Sequence, residues 1–68
     1  MTITLNDVLK TFDTESFTVQ ALLDLEFSDI PKGMALALNN TVVPKNQWPV
    51  TPVRENDQLL LIIATQGG

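Results

Sequence analysis

The stretch that most constrains this chain is its last hydrophobic run. Leu59-Leu60-Leu61-Ile62-Ile63-Ala64 is apolar without a break, and Thr65-Gln66-Gly67-Gly68 follows it. A short, unbroken apolar run bounded by turn signals suits a strand buried on both faces. Such a strand belongs in the middle of a sheet. The polar tail after it ends without a bulky residue. Glycine has no Cβ, so Gly67 and Gly68 suit a narrow passage or a close approach to another backbone. The expectation is a central strand followed by a flexible tail over residues 64–68. The terminal carboxylate is the chemical handle that tail presents.

The rest of the chain supplies the partners for that strand. Thr2-Ile3-Thr4-Leu5 alternates polar and apolar residues, which predicts a strand with Ile3 and Leu5 inward. Asn6-Asp7 tolerates positive φ and predicts a two-residue hairpin turn, with Val8 to Phe12 returning. On the return strand Val8, Lys10 and Phe12 share one face and Leu9 takes the other. The pattern leaves open which face is inward, and a bulge would also fit. Asp13 to Ser16 is a polar connection. Thr18 is a good N-cap, Phe17 and Leu22 have the spacing of a hydrophobic staple, and Val19, Leu22, Leu23 and Phe27 fall near one helical face. These predict a helix from Val19 to about Glu26. Asp24, Glu26 and Asp29 crowd its C-terminal end, where the helix dipole disfavours negative charge; they read as a solvated face.

Pro31 and Gly33 break the chain into a loop. Met34 to Asn39 then predicts a strand with Leu36 and Leu38 inward and Ala35 and Ala37 on a flat outer face. Asn39-Asn40 reads as a turn, and Thr41-Val42-Val43 as a short strand ended by Pro44. Lys45 to Pro49 reads as a turn or one helical turn, with Trp48 packed at the edge of the core. Pro49 and Pro52 make Val50 to Arg54 an irregular or edge segment, and Glu55-Asn56-Asp57 turns into the last strand.

One helix against a mixed sheet is an α+β arrangement. If the first and last strands pair they run parallel, with the helix in a right-handed crossover. The last strand is then central. Alternation turns Leu59, Leu61 and Ile63 toward the helix and leaves Leu60 and Ile62 on the outer face, beside Ala35 or Ala37. Exposed apolar residues grouped in this way mark a partner surface.

Composition narrows the function. A length of 68 residues is one small domain, 1–68. No stretch approaches the roughly 20 apolar residues of a membrane helix, and the first residues lack the marks of a signal peptide. The expected location is therefore the cytoplasm, away from membranes. Cys, His and Tyr are all absent. This excludes disulfides, a catalytic thiol, a thiolate metal site and the usual general base near neutral pH. Eight acidic against four basic residues give a formal charge of −4. That argues against nucleic acid, which needs clustered Lys and Arg, and suits a partner with a basic surface. There is no Gly-rich phosphate loop and no metal-ligand spacing.

Taken together, the chain resembles the ubiquitin-like sulfur carriers of the ThiS family, which have the β-grasp fold. The resemblance rests on Ala37-Leu38-Asn39-Asn40, on Val42-Val43-Pro44-Lys45 with Gln47-Trp48, and on Asp57-Gln58-Leu59-Leu60-Leu61 through Gly67-Gly68. Thr18-Val19 followed by Leu22-Leu23 also agrees. It covers essentially the whole chain; Phe27 to Gly33 and Thr65-Gln66 depart from the pattern. The resemblance implies a carrier rather than an enzyme, a monomer when alone. A ThiF-like adenylyltransferase would use MgATP to activate the carboxylate of Gly68. A sulfur-donor system such as a cysteine desulfurase would supply the sulfur of a thiocarboxylate. A ThiG-like thiazole synthase would take that sulfur into the thiazole ring of thiamine. Gly67, Gln66 and Thr65 would carry Gly68 into the partner's site, and Leu60, Ile62, Ala35 and Ala37 would form the docking face. Other readings stay open: sulfur carriage for molybdopterin or cysteine, a modifier that joins Gly68 to a lysine, or a plain interaction module.

Overall fold

In the computed structural model, residues 1–63 are described. Seven strands, one α-helix and one 3-10 helix run in the order β1 (Thr2–Leu5), β2 (Val8–Thr11), β3 (Phe17–Thr18), α1 (Val19–Glu26), β4 (Met34–Leu38), β5 (Thr41–Val42), the 3-10 helix (Lys45–Val50), β6 (Pro52–Val53) and β7 (Gln58–Ile63). Five strands form a mixed sheet in the order β2-β1-β7-β4-β5, and β3 pairs with β6 in a separate two-stranded sheet. β7 is central, parallel to β1 and antiparallel to β4. This is the α+β, ubiquitin-like β-grasp arrangement that the order of elements predicts.

Two Asn-led turns make the hairpins. Asn6 and Asp7 sit at φ 49° and 66°, and Asn39 and Asn40 at 50° and 71°. Positive φ at both central residues is what a two-residue hairpin turn with the right twist requires, and Asn and Asp tolerate it. The turns set the registers: Leu5 lies opposite Val8 and Leu38 opposite Thr41. β2 therefore turns Val8 and Lys10 toward the helix side and Leu9 outward, with no bulge between Val8 and Thr11. That settles the facing the sequence left open.

Helix α1 begins where the sequence predicts. The Thr18 hydroxyl accepts from the Ala21 N–H at 3.1 Å, which satisfies one free donor of the first turn. Phe27 is the C-cap, its N–H donating to Leu23 O at 2.9 Å. Glu26 lies at the unfavourable end of the dipole, but Lys10 of β2 meets its carboxylate at 3.0 Å. The pair fastens α1 to the sheet's edge, so Glu26 is not simply a solvated charge.

Val19, Leu22 and Leu23 of α1 pack with Ile3, Leu5, Met34, Leu36, Trp48, Val53 and Leu59 in one core. Two expectations are corrected here. Trp48 is not an edge anchor: it is 1% exposed and is the largest fully buried side chain. Its indole Nε1 donates to Val43 O at 3.0 Å, so burial leaves the polar atom satisfied. Of the two readings of Val50 to Arg54, irregular or edge, the edge holds: Pro52 and Val53 pair with Thr18 and Phe17 in the two-stranded sheet. Finally, β7 is central but covered on one face only. Leu59 is buried and Leu61 half-buried, whereas Leu60 and Ile62 are exposed. Ile63 shares the parity of Leu59 and Leu61 yet is 50% exposed, although Met34 opposite it is buried.

Candidate functional site

Among the described residues, no helix covers the outer face of the sheet. Its register places Ile62 opposite Ala35 and Leu60 opposite Ala37, and Val42 opposite Ala37. A row Leu60–Ala37–Val42 thus crosses three strands, with Ile62–Ala35 beside it. Leu60, Ile62 and Val42 are 48%, 54% and 68% exposed; Ala35 is exposed and Ala37 half-buried. The two alanines keep the middle of this face low between the longer side chains. The sequence places Leu60, Ile62, Ala35 and Ala37 together, and the structure brings them together. It missed Val42. The signal was present: a two-residue Asn39-Asn40 turn fixes Val42 opposite Ala37.

This apolar face runs into a groove between the two Asn turns. The groove encloses about 310 Å³, and Thr4, Asn6, Asp7, Ala37, Gln58 and Leu60 are among the residues lining it. Asn6, which lines it, and Asn39, which precedes the lining residue Asn40, both spend their side chains on the β7 end of the chain. The Asn39 carboxamide accepts from the Gln58 N–H at 2.9 Å and donates to the Asp57 carboxylate at 3.0 Å. The Asn6 carboxamide accepts from the Leu61 N–H at 2.7 Å and donates to Leu61 O at 3.3 Å. The sequence reading took both residues as turn formers only. Their side-chain bonds join positions 55 and 19 residues apart, which no local pattern encodes.

The remaining predicted site residues, Thr65, Gln66, Gly67 and Gly68, lie outside the described residues, as does Ala64. Among the described residues, no group of three or more Asp or Glu side chains is placed to hold a metal ion, and no helix is long and apolar enough to cross a membrane.

A β-grasp sheet whose central last strand borders an exposed apolar face is the architecture of a ubiquitin-like carrier or modifier. The family comparison narrows this. The model of the ThiS family matches residues 3–68, and the chain belongs to that family. It is 39% identical over 51 residues to the sulfur carrier protein ThiS of Escherichia coli (strain K12), covering 75% of this chain and 76% of that protein. Its fold superposes on the crystal structure of a thiamine biosynthesis protein (ThiS) from Geobacter metallireducens with a TM-score of 0.87. That match covers 100% of both chains at 26% identity.

Proposed function

We propose that this chain carries sulfur for thiamine biosynthesis, as a thiocarboxylate on Gly68. The observation that carries the reading is the family match, which continues through Gly67-Gly68. A carboxylate is a poor electrophile because its charge repels nucleophiles. A partner adenylyltransferase therefore joins it to AMP from MgATP and releases pyrophosphate. The terminal sulfur of a persulfide from a cysteine-desulfurase route then displaces AMP to give an acyl disulfide, a thiol reductant cleaves its S–S bond to release the thiocarboxylate, and a thiazole synthase consumes that thiocarboxylate. All of this takes place in the cytoplasm. The chain has no Cys, so no side-chain thiol competes as the sulfur's attachment point.

Each part of the molecule has a share in this. The rigid β-grasp body presents Leu60, Ile62, Ala35, Ala37 and Val42 as the docking face. Burial of exposed apolar side chains supplies affinity without fixing any one atom. The five residues after Ile63 reach at most about 18 Å when extended. That length lets the body dock outside a partner's site while Gly68 reacts inside it, with Thr65, Gln66 and Gly67 as the connecting passage. The test is intact mass. Incubation with an adenylating partner, MgATP and a sulfur source should raise the mass by the difference between one sulfur and one oxygen. A larger conjugate, or no change under conditions where a known carrier is converted, refutes the assignment.

A further inference from the structure

The geometry assigns Asn6 a positioning role: its side chain acts as one additional residue of β1 and fixes the end of β7 from which the C-terminal residues issue. This rests on the carrier reading above. β1 pairs with β7 only at Thr4–Gln58 and Leu5–Leu59. The chain then turns at Asn6-Asp7 into β2, while β7 continues to Ile63. Parallel pairing on this side uses alternate residues of β7. The Asn6 N–H reaches Leu59 O at 3.0 Å, so Leu61 is the next to present its backbone groups, beyond the end of β1.

A carboxamide has the same acceptor and donor as a peptide group. The Asn6 side chain takes the Leu61 N–H at 2.7 Å and donates to Leu61 O at 3.3 Å. It therefore prolongs the ladder by one step after the backbone of β1 has turned away. On the other side β4 holds β7 as far as Met34–Ile63. With Asn6 in place, the last turn-side contact of β7 lies two residues before its end, and the strand is gripped from both sides. Without it, everything after Leu59 is held from β4 alone. The end of β7 would then twist more freely, and with it the point at which the residues leading to Gly68 leave the described strand. Displacing a reacting atom by about 1 Å can cost on the order of 100-fold in rate, so the grip matters to transfer more than to folding.

Asn6→Gly separates the two roles of the residue, because glycine accepts φ 49° and the turn survives without the carboxamide. Amide hydrogen exchange on the isolated protein reads the clamp. Exchange at Leu61 should accelerate by at least about tenfold, while the Val19 and Asn39 amides, bonded to Thr51 O and Gln58 O, stay protected. Thiocarboxylate formation reads the positioning. The kcat should fall on the order of tenfold with KM nearly unchanged, since the docking face is intact. Asn6→Asp keeps an acceptor for the Leu61 N–H and should fall between wild type and Asn6→Gly in both measurements. Unchanged exchange at Leu61 overturns the clamp. Accelerated exchange with wild-type kcat overturns the positioning role. A wild-type protein that forms no thiocarboxylate overturns the carrier reading and the positioning role with it, while exchange at Leu61 still decides the clamp.

Discussion

Trp48 ties two short segments into the core through one side chain. Its ring is fully buried, and its N–H is taken by Val43 O, just before the Pro44 that opens the 3-10 helix. Trp48→Phe keeps most of the apolar volume but leaves Val43 O without that donor. It should cost about 1–3 kcal/mol, whereas Trp48→Ala should cost about 3–5 kcal/mol through the cavity as well. Equilibrium unfolding in urea measures both, and a Trp48→Phe protein as stable as wild type would mean that the hydrogen bond contributes nothing. The residue's depth was not legible in the sequence. A lone Trp between Gln47 and Pro49 carries no periodicity, and what buries it is the crossing of α1 and the 3-10 helix. By contrast, the Thr18 cap and both Asn turns were legible, because each acts on backbone groups within three residues of itself.

At the scale of elements, β7 shows what alternation can and cannot reveal. An unbroken apolar run does not distinguish burial on both faces from burial on one plus a docking face. The distinction depends on whether a second layer exists, and one eight-residue helix covers only one side. The β3–β6 pairing was illegible for a related reason: two-residue strands, one beginning with Pro52, are made by tertiary contact rather than by propensity. The faces of the sheet can be ranked by substitution. Leu36→Ala, at 1% exposure, should cost about 2–5 kcal/mol. Leu61→Ala, half-buried, should cost less, and Leu60→Glu should leave stability within about 0.5 kcal/mol of wild type. Leu60→Glu should nevertheless weaken binding to the adenylating partner, measured by calorimetry. Strong binding by a folded Leu60→Glu protein would remove the outer face from the docking surface.

At the scale of the whole molecule, the proposed function divides the work between the folded body and the terminus, and the terminus can be tested without disturbing the body. Among the described residues the buried core lies between Ile3 and Leu59, so changes at Gly67 or Gly68 alter none of those side chains. Deleting Gly68 still leaves a terminal carboxylate, on Gly67, but one residue short, about 3.4 Å from the required position. A group misplaced by that much loses a near-attack geometry that tolerates only about 1 Å. The deletion should therefore melt like wild type and form no thiocarboxylate. Gly67→Val should fail in the same way, because a β-branched side chain restricts the backbone and widens the passage. Appending one residue after Gly68 should also block the reaction, since the glycine carboxylate is then a peptide carbonyl. Pyrophosphate exchange with the adenylating partner detects loss of activation, intact mass detects loss of sulfur transfer, and thermal melting controls for folding. If the Gly68 deletion acquires sulfur at the wild-type rate, placement of the acceptor is not what the terminal glycines provide.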